Sequence, residues 1–227
     1  MDYSLHFGAV WASFDKLLSG LAIGLGLAVV AVAIGTVLGL LAAFASVAPY
    51  RALRGLAALY VSLIRNLPLL VLVLLAYFAL PQAGITLDKY QSFTGALALY
   101  SGAYLTEVFR AGLISVPKGV IEAARSIGLT RLQTNTSVVA PIMLRNALPS
   151  LGNTFIGMFK DTSLVLIISM FDLLGVVKQN FADANWATPQ TAKSGLVFAA
   201  FVFWLFCFGM SRYSMYTERR LDTGYKR

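Results

Sequence analysis

Long apolar runs separated by short polar intervals set the pattern of this chain. Charge-free stretches extend from Leu17 to Tyr50, Asn66 to Leu87, Tyr90 to Thr106 and Ser194 to Ser211. A hydrocarbon core about 30 Å thick takes roughly 20 apolar residues per helix, so each stretch predicts a span. Two shorter runs, Asn146 to Phe159 and Thr162 to Phe171, are separated only by Lys160-Asp161. Together they are long enough to cross, with a charged pair left at depth. The pattern therefore predicts five membrane-crossing helices, at about 18–46, 55–80, 92–113, 146–174 and 194–214. Gly20, Gly24, Gly26, Gly35 and Gly39 punctuate the first span, where small residues let helices approach closely in lipid. Pro68 and Pro81 bracket part of the second.

Between the third and fourth spans the pattern changes. KGVIEAARSIGLTRL, Lys118 to Leu132, is a polar amphipathic island. Pro117 suits a helix start, where its missing N–H costs nothing, and Glu122 is expected to meet the positive end of the helix dipole. Ile121, Ala124 and Ile127 recur on one face, Arg125 and Arg131 point elsewhere, and Gly128 suits a stop. Ala123 and Ala124 end at Cβ, so a helix carrying them can sink into a groove on another protein. An amphipathic helix resting on the membrane surface fits the same features. These residues alone leave both readings open.

Composition strengthens the membrane assignment. The 227 residues are 58% hydrophobic and only 12% charged, against about a quarter charged in soluble proteins. The net charge of +8 follows the loops rather than one soluble face, so topology explains it and no nucleic-acid partner is expected. Twelve basic residues fall on one side: Arg51 and Arg54; Arg110, Lys118, Arg125, Arg131 and Arg145; Arg212, Arg219, Arg220, Lys226 and Arg227. Four fall on the other, Lys16, Lys89, Lys178 and Lys193, while Arg65 and Lys160 lie in or near spans. The positive-inside rule makes the first side cytoplasmic. The N-terminus is then outside, the C-terminus inside, and the island cytoplasmic.

Candidate chemistry is sparse. Cys207 is the single cysteine and His6 the single histidine, which excludes a disulfide framework and gives no metal or catalytic cluster. No phosphate loop ending in G-K-[ST] occurs, so ATP hydrolysis by this chain is not expected. The N-terminus carries Asp2, no early basic residue and no A-x-A-like site, and does not read as a cleaved leader. Glu107, Arg110, Lys160 and Asp161 are the charges expected at depth, where a charge faces a cavity or a partner. Glu107 can neutralise Arg110 one turn away, and Lys160 and Asp161 can each pair with another helix. The alternative is that Lys160-Asp161-Thr162-Ser163 interrupts a helix and lines a solute path.

Spacing in the island narrows the field. Glu122-Ala123-Ala124, three residues, Gly128, nine residues, then Val138-x-Ala140-Pro141 resembles the EAA loop of ABC importer permeases, departing only at Val138 and Ala140, both apolar. Arg65-Asn66-Leu67-Pro68-Leu69-Leu70, the Ala103-Tyr104-x-x-Glu107-x-x-Arg110 segment, Val116-Pro117-Lys118-Gly119 and Lys160-Asp161-Thr162-Ser163-Leu164 are similar to stretches of the polar amino-acid permease family. Val120 stands where that family usually has glutamine. The C-terminal third, with FDLLG, Arg212-Tyr213-Ser214 and Glu218-Arg219-Arg220, looks closest to permeases for general or acidic L-amino acids.

The resemblance implies an all-α type I importer transmembrane domain over residues 1–227, with the island at about 118–132 as coupling helix. Glu122, Ala123, Ala124 and Gly128 would couple it to a separate ATPase, which binds ATP and Mg; no cofactor is implied on this chain. A second permease chain, the same or a sister, and an extracytoplasmic solute-binding protein complete the implied complex in a bacterial inner membrane. Glu107, Lys160, Asp161, Thr162 and Ser163 are the candidate solute path, since a zwitterionic amino acid needs a cation for its carboxylate and acceptors for its ammonium. A passive amino-acid channel gated by a cytoplasmic partner is the alternative function. A membrane-embedded enzyme is a third class, disfavoured by the lack of a clustered ligand set.

Overall fold

The computed structural model describes residues 5–183, 186 and 188–221, without the side chain of Leu221. Asp2, Lys226 and Arg227, which enter the readings above, lie outside the described residues. Among the described residues the chain is helical and has no strand. The helices are α1 (Gly8–Ala12), α2 (Phe14–Ser46), α3 (Arg51–Arg65), α4 (Leu69–Leu74), α5 (Lys89–Ile114), α6 (Lys118–Ser126), α7 (Arg131–Thr134), α8 (Ala140–Asp161), α9 (Leu173–Asn180) and α10 (Pro189–Leu221). Turns of π-helix occupy Leu75–Ala79 and Asn135–Val139, and 3-10 helix occupies Leu80–Ala83 and Thr162–Ile168.

Among the described residues two helices are each long and apolar enough to cross a membrane unbroken, α2 and the stretch Pro189–Arg220 of α10. Helix α2 is apolar on every side, as a helix surrounded by lipid and other helices must be. Helix α5 has 26 residues, about 39 Å of rise, but carries Glu107 and Arg110. The expected second span, 55–80, is broken: α3 ends at Arg65 and a new helix starts only at Leu69. Pro68 has no N–H to give and disfavours helical geometry at Leu67, so the chain stops and restarts there. The expected fourth span, 146–174, is also divided. Helix α8 starts earlier, at Ala140, and ends at Asp161; the chain then tightens to 3-10 geometry through Ile168, and Ser169, with φ 56°, closes it.

The described residues pack as two compact units. The first takes in the described residues within 1–31, 69–97 and 156–210, and its core gathers Val10, Leu17, Leu173, Val177, Trp186 and Ala199. The Trp186 indole N–H donates to Ser13 Oγ at 3.2 Å. Gly20 packs so closely on α9 that a Cβ would stand 2.7 Å from Val176 and 2.8 Å from the Asp172 carbonyl oxygen.

The second unit takes in the described residues within 32–68, 98–155 and 211–227, around Ala43, Leu105, Phe109, Met143, Ala147 and Leu151. Gly35 and Gly39 bring α2 against α5; a Cβ on Gly39 would meet Leu105 Cβ at 2.8 Å. The glycines of the first span thus perform the close packing expected of them, except Gly26, which has open space around it.

Candidate functional site

The island resolves into a helix, a turn and a second short helix. Helix α6 starts at Lys118 with Pro117 at its N-cap, and ends at Ser126, not Leu132. Gly128 follows with φ 90°, and its N–H donates to the Arg125 carbonyl at 3.0 Å while Leu129 N–H donates to that of Ala124 at 3.3 Å. Thr130 then caps α7 with a reciprocal pair: its hydroxyl accepts from Gln133 N–H at 3.3 Å, and Gln133 Oε1 accepts from Thr130 N–H at 2.9 Å. Helix α6 packs on α7 and on the π turn Asn135–Val139.

Two expectations about this helix change. Glu122 lies beyond the first turn, which contains no acidic residue, so it does not meet the helix dipole at close range. Ala124 is 5% exposed, covered by the chain itself. The outward side carries Glu122 and Ala123 instead, with Ile127 and Leu132 exposed by 78% and 73%. Ile127 has left the face shared by Ile121 and Ala124 because the helix ends before it.

The Lys160 segment sits in the first unit. Thr162 is buried and its hydroxyl donates to the Phe159 carbonyl at 2.8 Å; Ser163 Oγ donates to that of Lys160 at 2.9 Å. Those bonds satisfy carbonyls freed where the α-helix gives way to the tighter 3-10 turn. No ion pair joins Lys160 or Asp161 to another helix among the described residues. Lys160 and Ser163 line a cavity of about 500 Å³ with Leu174, Leu196, Phe203 and Trp204. Such a site offers one cation and one hydroxyl against an apolar wall.

Glu107 lies in the second unit and is neutralised within α5. Arg110 Nε donates to both carboxylate oxygens at 3.2 Å and Nη2 to one of them at 2.5 Å. Arg65 stacks its guanidinium 5.0 Å from the centroid of the Tyr104 ring, one turn before Glu107. Among the described residues no group of three or more His, Cys, Asp or Glu is placed to hold a metal ion.

Asp172 was not singled out by sequence reasoning. It is buried, caps α9 by accepting the Gly175 N–H at 2.8 Å, and holds that helix beside the Thr162 segment. The point where Gly24 would carry a Cβ is 3.5 Å from both Asp172 Cβ and Thr162 Oγ1. An Asp before Leu-Leu-Gly is a readable N-cap signal.

Comparison with known proteins decides what these parts belong to. Residues 35–223 match the family described as binding-protein-dependent transport system inner membrane component. The chain belongs to this family. The L-cystine transport system permease protein TcyB of Bacillus subtilis (strain 168) is 37% identical over 223 residues, 96% of this chain and 92% of that one. The probable glutamine ABC transporter permease protein GlnM of the same strain is 32% identical, covering 97% of this chain and all of its own. An inner membrane amino-acid ABC transporter permease protein of Escherichia coli (strain K12), YhdY, is 41% identical over 75% of this chain, which spans 47% of YhdY's length.

Among solved structures, a crystal structure of an amino acid ABC transporter with histidines superposes with TM-score 0.86 at 31% identity, over 96% of this chain and 99% of that one. Inward-facing forms of the MetNI methionine ABC transporter share the fold, with TM-score 0.71 at 18% identity. The fold is the all-α type I importer transmembrane domain expected from the EAA spacing, and family membership favours the importer over a passive pore.

Proposed function

We propose that this chain is the membrane-spanning subunit of an ATP-driven importer that carries polar L-amino acids, acidic or broad in range, across the inner membrane. The observation that carries the reading is the coincidence of the EAA spacing, on an exposed helix-turn-helix, with kinship over nearly the whole chain to amino-acid permeases. Residues 1–227 act as one permease domain, with the N-terminus outside and the C-terminus in the cytoplasm. The island docks on an ATPase that supplies ATP and Mg; Glu122 and Ala123 present the contact surface, and Ala124 and Gly128 hold its shape. A second permease chain and an extracytoplasmic solute-binding protein complete the complex, and the chain itself carries no cofactor and no catalysis. Lys160, Asp161, Thr162 and Ser163, with Glu107, belong to the solute path, because charges without a helix-to-helix partner at depth need polar company.

The test is solute-stimulated ATP hydrolysis by the reconstituted complex with each candidate amino acid. Stimulation by polar L-amino acids, strongest for acidic ones or spread across several, is expected. A complex that no amino acid stimulates, with a functional solute-binding protein present, would overturn the assignment.

A further inference from the structure

Helix α10 is longer than the hydrocarbon it has to cross. Its charge-free run, Ser194 to Ser211, rises about 27 Å, close to the ~30 Å of a bilayer core, and the helix continues to Leu221. Arg212 is thus the first charge past the core, and Arg219 lies about 10 Å of rise further out. These last turns belong to the second unit. One side of them is covered, since a Cβ on Gly152 of α8 would stand 2.7 Å from Ser214 Cβ. At about 100° per residue the side opposite Ser214 carries Arg212, Tyr216, Arg219 and Arg220, all exposed.

The chemistry of that face is specific. The Arg220 guanidinium stacks 4.8 Å from the centroid of the Tyr216 ring, which holds it in place while its N–H groups stay free for oxygen ligands. Among the described residues no carboxylate forms an ion pair with any of the three arginines, and Glu218 points to a different side of the helix. Tyr213 and Tyr216, 72% and 53% exposed, are of the residue type that settles at headgroup level. The positive-inside rule calls for basic residues somewhere in this segment, but not for a single stripe with one guanidinium stacked on tyrosine.

We propose that this face binds the phosphate of an anionic phospholipid in the leaflet where α10 ends, with Arg212 and Arg219 as the main ligands and Tyr216 holding Arg220 beside them. A guanidinium fork matches the two free oxygens of a phosphodiester. A zwitterionic headgroup would bring its own ammonium among three cations, so the face selects for net negative charge. The site uses no residue of the solute path or of the docking island.

The experiment is native mass spectrometry of the purified permease and ATPase complex, titrated with phosphatidylglycerol or phosphatidylcholine. Wild type should retain phosphatidylglycerol roughly tenfold more tightly or better, given the attraction of each arginine near a headgroup. The double variant Arg212→Gln, Arg219→Gln should bind the two lipids alike, Tyr216→Leu should fall between, and Arg51→Gln, which removes a charge from α3 instead, should match wild type. Excess inorganic phosphate should leave the lipid in place.

Equal retention of both lipids by wild type would overturn the site whether or not the variants assemble. An equal loss in Arg51→Gln would do so too, because any basic residue would then serve. Displacement by inorganic phosphate would make the ligand a free anion, and a double variant that keeps its lipid selectivity but loses the ATPase would make the face a protein contact; either result also ends the proposal.

Discussion

Gly128 is the position where one methyl group should have the clearest effect. Its φ of 90° is a conformation that L side chains rarely adopt, and a Cβ there would meet nothing within 4 Å. Gly128→Ala therefore adds strain without a clash. Holding a non-glycine residue in this region costs about 1–3 kcal/mol. That strain is relieved when the turn between α6 and α7 opens, which shrinks the fraction of molecules presenting Glu122, Ala123, Ile127 and Leu132 as one surface. The apparent affinity for the ATPase falls by the same factor as the competent fraction, at most about 5- to 150-fold for that range of energies.

The assay is titration of labelled ATPase onto the permease in nanodiscs, read by fluorescence anisotropy. Gly128→Asn should fall between glycine and alanine, because Asn tolerates the left-handed region. Gly119→Ala, inside α6 with open space and no positive φ, should bind as well as wild type or better, since alanine favours the helix by roughly 0.5–1 kcal/mol. Wild-type affinity in Gly128→Ala, at normal expression, would refute the claim that this turn sets the docking surface.

Three further outcomes follow from the fold and the charges. Reporter fusions after Thr86 and after Asp183 should report the extracytoplasmic side and a fusion after Gly119 the cytoplasm; the reverse pattern would overturn the charge-based orientation and the coupling reading with it. Lys160→Met and Asp161→Asn should assemble with the ATPase yet lose solute-stimulated hydrolysis, and wild-type stimulation in both would remove them from the solute path. Gly112→Ala would place a Cβ 2.8 Å from the Met143 carbonyl oxygen, a backbone atom that cannot swing aside, so a loss of about 1–3 kcal/mol should appear as lower folded yield and a lower thermal midpoint by size-exclusion chromatography.

Much of the island was legible because its signals are local. Pro117 before the helix and Gly128 after it are backbone constraints that hold wherever the helix sits. Spans α2 and α10 were legible for a similar reason, since each contains an apolar run long enough to cross a membrane, and reading it needs no knowledge of neighbours. The break at Asn66-Leu67-Pro68 carried a local signal in Pro68, but hydropathy runs straight through it.

Other features depended on what lies across space. Nothing in Ala123-Ala124 distinguishes the alanine that the chain covers from the one left exposed, because that follows from α7 and the π turn closing over one side of α6. A cavity of about 390 Å³ lined by Arg54 and Ser62 of α3 and Glu107 and Arg110 of α5 was unreadable for the same reason: those helices are distant in sequence and meet only once they pack. The Glu107 and Arg110 pair was readable, being a single helical turn apart.

The most direct test of the central claim is accumulation of a radiolabelled amino acid in proteoliposomes containing this permease, its ATPase and its solute-binding protein. Uphill accumulation that needs ATP inside or outside according to orientation, needs the solute-binding protein, and stops when the island is disrupted is the predicted result. Equilibration of the amino acid down its gradient, equally fast without ATP and without the ATPase, would contradict it.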